Sequence, residues 1–164
     1  MQHRAWLMTL ALAAGAGIAP DAALAADRNG PDPLIGRGRY VVSIAGCNDC
    51  HTPGYTTSGG KVDEKAWLTG DALGWRGPWG TTYPVNLRLY MQKVSEKEWV
   101  DAARHLTARP PMPYWSLNHM KDVDLRAVYR FVRALGPAGE EAPAFVPPGK
   151  EPKGPYVTFP APPK

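Results

Sequence analysis

The chain has 164 residues and a net charge of +4 at pH 7, with 19 lysines and arginines against 15 aspartates and glutamates. The basic residues are scattered and form no basic run, which argues against a nucleic-acid partner. Eighteen prolines and seventeen glycines predict many loops.

Residues 1–26 have the plan of a secretory signal peptide: a basic start, an apolar, alanine-rich run over residues 5–19, and a small-residue cleavage signal at Ala23-Leu24-Ala25. A membrane anchor is the alternative, but the run is shorter than the roughly 20 apolar residues that a span needs, and Pro20 ends it. We therefore expect export to the periplasm, with cleavage near Ala25 or Ala26. No later segment predicts a transmembrane span.

The first helix is predicted over about Leu34 to Ala45, where Val41 and Ile44 recur near helical spacing. Glycine weakens a helix, so Gly38 in this stretch suggests that another helix approaches closely. The alternative is a poorly formed lead-in.

Two cysteines three positions apart, with a histidine directly after them, form the motif Cys47-Asn48-Asp49-Cys50-His51. This is the spacing of c-type haem attachment. On one helical turn the two sulfurs share a face, so both can add to the vinyl groups of a porphyrin. His51 then lies beneath the ring as the proximal iron ligand. The motif predicts one covalently attached haem c.

Three other uses of the two cysteines are less favoured. A thioredoxin-like redox pair needs a βαβ setting, which no strand-rich pattern supplies here. A zinc site needs two further ligands, and only the isolated His105 and His119 remain. A disulfide between the two cysteines would close a very small, strained loop.

Residues 52–90 are predicted to be irregular, with turn signals such as Ser58-Gly59-Gly60 and Gly77-Pro78. A loop of this length indicates a function, and wrapping the lower edge of a haem is one. Trp79, Arg76 and Asn86 are the candidates for that edge. The alternative is that the tryptophan is ordinary core and the arginine a solvated charge.

A capping box at Ser95 and Glu98 predicts a helix that runs to about Leu106. His105 lies near its C-terminus, where positive charge is favourable, and this explains His105 more simply than iron ligation does.

Three prolines surround one methionine in the segment Arg109-Pro110-Pro111-Met112-Pro113-Tyr114-Trp115. Proline fixes φ and restricts the preceding residue to extended backbone, so a non-helical, rigid loop is predicted. Such a loop can hold the Met112 thioether as the sixth iron ligand, and His/Met ligation raises the haem potential. The alternative ligands after the signal peptide are Met91, Met120, His105 and His119.

The last helix is predicted over Asp122 to Leu135, where apolar residues form one face and Gly136-Pro137 ends the helix. This face is expected to pack on the first helix. The proline-rich tail that follows either packs on the domain as far as Phe159 or forms a mobile extension.

These motifs together resemble the monohaem class I cytochromes c of bacteria, and more narrowly the exported cytochromes that accompany dehydrogenases. The resemblance covers roughly Pro33 to Leu135. It implies an all-α cytochrome c fold, with three main helices around one covalently bound haem, a long haem-wrapping loop and a proline-rich tail. It also implies Cys47 and Cys50 as thioether anchors, His51 and Met112 as the iron ligands, and no substrate turnover. The expected boundaries are 1–26 for the signal peptide, 27–136 for the cytochrome domain and 137–164 for the C-terminal extension.

Three functions follow as hypotheses. The first is periplasmic electron transfer, between a dehydrogenase or quinol-oxidising complex and a downstream cytochrome or oxidase, alone or within a complex. The second is a haem enzyme or gas sensor, which needs an open sixth iron position. The third is an accessory subunit whose proline-rich tail is the functional part.

Overall fold

The computed structural model describes residues 32–160. The predicted signal peptide lies outside these residues. Six helices lie within this range: α1 (Pro33–Ile44), α2 (Cys47–His51), α3 (Leu87–Lys93), α4 (Glu96–His105), α5 (Tyr114–His119) and α6 (Asp122–Leu135). Three short strands accompany them: β1 (Gly74–Gly77), β2 (Gly80–Thr82) and β3 (Tyr156–Thr158). None of these helices is both long and apolar enough to cross a bilayer.

The expectation of a strictly all-α chain is wrong, because a three-stranded sheet of order β2-β1-β3 is present. β1 and β2 form an antiparallel hairpin, and β3 from the tail pairs parallel to β1. The strands have only three or four residues, and β1 and β2 contain glycine, so no alternating pattern marks them in the sequence. Gly74 is required because a Cβ there would lie 2.6 Å from the methyl group of Thr81.

The close approach of α1 to another helix is confirmed, and the partner is α6. A Cβ on Gly38 would lie 2.0 Å from the backbone oxygen of Ala127. The buried face of α6, which includes Leu125, Val128 and Val132, packs into the main apolar core of the described residues. The first helix therefore forms as predicted, and the side chain of Asp32 caps it by accepting a hydrogen bond from the backbone N–H of Leu34.

The capping box at the start of α4 is confirmed, since Ser95 and Glu98 exchange side-chain and backbone hydrogen bonds. α6 has the predicted bounds, but no side chain caps its first residue, Lys121 being the N-cap. The ring N–H of Trp99 on α4 donates to the Leu125 carbonyl on α6 at 2.8 Å, which joins these two helices.

Two helices depart from the sequence expectations. α3 begins within the last residues of the stretch 52–90, which is predicted to be irregular. The side chain of Asn86 caps this helix by accepting a hydrogen bond from the Leu89 N–H. α5 begins at Tyr114, inside the segment predicted to be non-helical. Pro113 is the last proline of that segment, and the residues after it are free to enter a helix because a proline restricts only its own φ and the residue before it.

The tail packs on the domain as far as Phe159. Val146 exchanges two backbone hydrogen bonds with Thr81, and the Phe159 N–H donates to the Arg76 carbonyl at 2.7 Å. The Phe159 ring also contacts Trp75 and Trp79, with ring centroids 5.9 and 5.4 Å apart. Of the two alternatives for the tail, packing is the one observed for the described residues.

Candidate functional site

The helix α2 carries the two cysteines and the histidine of the motif. Gly46 precedes it with φ of +70°, a left-handed backbone that glycine adopts without steric cost. Cys47 and Cys50 are both free and half-buried. Burial raises the pKa of the Cys47 thiol to about 11 and raises that of Cys50 as well, so both side chains are held as thiols at neutral pH.

His51 is buried, and its Nδ1 lies 2.8 Å from the backbone oxygen of Val85. A carbonyl oxygen only accepts hydrogen bonds, so Nδ1 must carry the proton. Burial lowers the pKa of His51, which favours the neutral ring. A neutral imidazole protonated at Nδ1 has its lone pair on Nε2, and Nε2 is then available to bind a metal ion.

Three hydrogen bonds hold α2 in place, and two of them join it to the loop that follows. The Thr52 hydroxyl donates to Asn48 Oδ1 and accepts from the Leu68 N–H, both at 2.8 Å. The Gly70 N–H donates to the His51 carbonyl at 2.9 Å. These bonds join α2 to residues 68–70, so they fix the orientation of the helix and of the motif side chains that it carries.

The motif opens onto a cavity of about 660 Å³. This volume lies within the range of about 300–1,000 Å³ that is usual for small-molecule and cofactor sites. The wall is mainly apolar and includes Cys47, Cys50 and His51. Aromatic and aliphatic side chains supply most of the remaining surface, among them Trp75, Tyr83, Leu87, Tyr90, Trp99 and Leu106.

Met112 lines the same cavity, so the residues proposed from distant parts of the sequence come together there. The Thr82 hydroxyl donates to the Pro110 carbonyl at 2.9 Å, which ties the proline-rich loop to β2. Met120 also lines the cavity and stays an alternative thioether.

The other alternative ligands lie elsewhere. Met91 is fully buried in the core and is absent from the cavity wall. His105 and His119 are exposed, and each ring Nδ1 hydrogen bonds to a backbone oxygen four residues earlier in its own helix. Among residues 32–160, no group of three or more His, Cys, Asp and Glu side chains is placed to hold a metal ion.

The three candidates for the haem edge lie outside the cavity wall. Arg76 pairs with Glu151 at 2.7 Å and donates to the Tyr156 hydroxyl. Asn86 uses its amide to cap α3 and to donate to two backbone oxygens of the tail. The side chains of Arg76 and Asn86 are thereby committed to packing the tail, so the proposed site does not include them.

Trp79 is a different case. Its indole N–H is buried and has no acceptor among the described residues. The donation of this N–H to a haem carboxylate stays a prediction.

Sequence reasoning missed two parts of the wall. One is the tail segment 142–145, which lines the cavity although it is more than 90 residues from the motif. The other is Arg109, the one lysine or arginine that residues 32–160 contribute to the wall. The segment 142–145 carries no local signal, because its position is set by how the tail folds back. Arg109 belongs to the proline-rich loop that the sequence singled out, but its place on the wall beside Phe145 is visible only in the folded chain.

The residues fit a covalently bound c-type haem. Two thiols one helical turn apart, an imidazole with its Nε2 lone pair available, and a thioether line one apolar cavity of suitable volume. The donor set is that of a His/Met-ligated haem iron.

No family model matches the chain, and no solved structure matches it. The chain is similar to a nicotinate dehydrogenase component from Pseudomonas putida, with 30% identity over 124 residues. That component is one of the subunits of its dehydrogenase, and the aligned region covers 68% of this chain but only 9% of the Pseudomonas protein. The similarity is therefore to a small part of a much longer chain.

Proposed function

We propose that the protein is a periplasmic electron carrier with one haem c bound through Cys47, Cys50, His51 and Met112. The observation that carries the proposal is the shared cavity, which brings the attachment motif and the proline-held methionine to one site. When bound, a c-type haem supplies a one-electron couple at its iron.

Each residue then has a defined task. The Cys47 and Cys50 thiols would hold the haem covalently, each by adding its sulfur and hydrogen across one vinyl group, and this addition would need no oxidant. His51 would bind iron through Nε2, and the Val85 carbonyl holds the ring orientation by accepting from Nδ1–H. Met112 would supply a neutral thioether, which would favour the reduced iron and raise the potential.

Electron transfer is favoured over a haem enzyme or sensor by what lies at the cavity. His105 and His119, which would be candidates for distal acid-base groups, are exposed and away from the wall. Two methionines, Met112 and Met120, line it instead. A thioether-ligated, six-coordinate iron has no open position for substrate, whereas an electron carrier needs none.

The electron donor is proposed to be a dehydrogenase. The support is the similarity to a dehydrogenase component, in which the matching region is a small part of a long chain. The domain would dock on, or assemble with, such a dehydrogenase. A downstream cytochrome or oxidase would accept the electron.

The test is to express the full chain in a host that attaches c-type haem during export. Covalent haem is expected in wild type and should remain on the polypeptide under denaturing conditions. Cys47→Ala and Cys50→Ala should each leave at most one thioether link, and the double variant should lose covalent haem. Ser43→Ala is a matched control, since its hydroxyl is exposed and bonds only within α1.

Two results would contradict the proposal. One is wild-type protein that carries no covalent haem under conditions in which another c-type cytochrome is loaded. The other is a loaded protein with a high-spin oxidised spectrum, which would mean an open sixth position and favour the enzyme or sensor function.

A further inference from the structure

Arg109 has an unusual position among the basic side chains of residues 32–160. It lines the cavity together with the motif, yet it is also exposed, so it stands where the cavity meets solvent. It precedes Met112 by three residues and is carried by the same proline-rich segment.

The guanidinium of Arg109 also forms no hydrogen bond and no ion pair with the described residues. Within residues 32–160, every other arginine donates at least one hydrogen bond to a carboxylate, an amide oxygen or a backbone oxygen. Arg109 donates none and forms no ion pair with the described residues. The five N–H donors of its guanidinium therefore have no hydrogen-bond partner among the described residues.

The wall around Arg109 contains no aspartate or glutamate from the described part of the chain. Its other titratable side chains are Cys47, Cys50, His51, Tyr83 and Tyr90. An apolar cavity with one fixed positive charge favours a ligand that is mostly apolar and carries an anionic group at its edge. A porphyrin with carboxylate side chains has that distribution.

The tail positions the guanidinium. The Arg109 guanidinium carbon lies 3.9 Å from the centroid of the Phe145 ring, within cation–π distance. Phe145 is held in turn by the Thr81–Val146 backbone pair and by Gly80, where a Cβ would lie 2.4 Å from the Val146 carbonyl oxygen. Gly80 has φ of +104°, so this close approach depends on glycine.

We propose that Arg109, stacked on Phe145 of the tail, binds a carboxylate of the haem where the cavity meets solvent. This inference rests on the proposed function and extends it. It assigns carboxylate binding to a residue of the segment that carries Met112, held in place by a residue of the tail. Arg76, the candidate from sequence, has its charge neutralised by Glu151 outside the cavity.

The experiment measures the haem midpoint potential of the holoprotein by spectroelectrochemistry across pH. A guanidinium beside a carboxylate lowers the carboxylate pKa, and reduction of the iron is linked to protonation of a nearby carboxylate. The midpoint potential falls with rising pH over the range in which the carboxylate loses its proton. In Arg109→Gln this range should lie about one pH unit higher than in wild type, which is the smallest pKa change usual for the loss of one opposite charge. The potential at neutral pH should also fall, since a positive charge favours the reduced iron.

Three further variants give the matched controls. Arg76→Gln makes the same charge change outside the cavity and should leave the profile as in wild type. Phe145→Leu removes the ring but keeps apolar bulk, and it should give a smaller shift of the same sign. Arg109→Lys keeps the positive charge but lacks the planar guanidinium, so it should also shift the pH profile of the potential less than Arg109→Gln does. If Arg109→Gln does not retain haem, Arg109→Lys is measured in its place.

The outcomes are separable. An unchanged profile in Arg109→Gln, or in Arg109→Lys where that variant replaces it, overturns the inference. So does an equal shift in Arg76→Gln. If the profile is unchanged and only the salt dependence of electron transfer with a partner alters, Arg109 binds a carboxylate of the partner instead, and the inference is also overturned. Wild-type protein without covalent haem would be a failure of the proposed function itself.

Discussion

Gly38 of α1 and Ala127 of α6 lie in direct backbone contact, with room for a hydrogen atom but not for a methyl group. A Cβ on Gly38 would lie 2.0 Å from the Ala127 oxygen and 2.6 Å from the Phe131 Cβ. Neither neighbour is the end of a flexible side chain, so the helices would have to separate. Gly38→Ala should therefore lower the free energy of unfolding by at least about 2 kcal/mol, as overpacking of a core does.

Gly36 is the matched control for this prediction. It lies in the same helix, and a Cβ there would meet nothing within 4 Å. Gly36→Ala should raise the free energy of unfolding by up to about 1 kcal/mol, since alanine is the better helix former. Urea unfolding followed by circular dichroism measures both, and equal effects at the two positions would contradict a close α1–α6 contact.

Met112 and Met120 both line the cavity, and the oxidised visible spectrum separates them. Met112→Ala should abolish the weak charge-transfer band that a methionine–iron(III) bond gives, and it should lower the potential. Met120→Ala should keep the band. If the band is lost in Met120→Ala and kept in Met112→Ala, the sixth ligand is Met120.

Arg88 is a buried cation that connects the end of α6 to the loop after the motif. Its guanidinium donates to the carbonyls of Leu135 and Gly136, and at 3.0 Å to the Lys65 carbonyl. Arg88→Met would leave these buried acceptors without a donor. The expected loss is about 1.5–3 kcal/mol of unfolding free energy, the range for hydrogen bonds to charged groups.

Arg88→Lys should recover part of that loss, because an ammonium can serve some of the acceptors but not all of them. Thermal or urea unfolding of the two variants beside wild type makes the comparison. An Arg88→Met protein as stable as wild type would mean that water replaces the guanidinium.

Glu96 links α4 to α6 and, through Arg130, to the start of α1. Its carboxylate lies 2.5 Å from Arg130 and 2.9 Å from Arg126, and Arg130 also contacts Asp32 at 2.9 Å. The hydrogen bond from Arg130, and then that from Arg126, hold the pKa of Glu96 below its usual value near 4.5.

The folded protein therefore binds fewer protons at Glu96 than the unfolded chain does. The stability from this group is present above about pH 4.5 and is lost as pH falls through the lower folded pKa. Glu96→Gln should lower the free energy of unfolding by about 1 kcal/mol at pH 7, and the difference in this free energy between the variant and wild type should be smaller at pH 3. Glu140→Gln is the control, because Glu140 forms no ion pair with the described residues. A difference that does not change with pH would contradict this assignment.

The fold was predictable where the signal is local. The capping box of α4, the bounds of α6 and the need for a neighbour at Gly38 all follow from residues within a few positions of one another. The sheet was not predictable, because β1 gains β3 from a tail about 80 residues later and because its strands are too short for a periodic pattern.

The attachment motif and the candidate thioether of Met112 were determined by the sequence alone. Their chemistry depends on the spacing of Cys47, Cys50 and His51 along one helical turn and on prolines adjacent to Met112. Only the tertiary structure decided that Met120 shares the cavity, that Val85 accepts from His51, and that Arg109 rather than Arg76 faces the site. These relationships join segments far apart in the chain, and they are set by how helices and tail pack, which no local pattern of residues encodes.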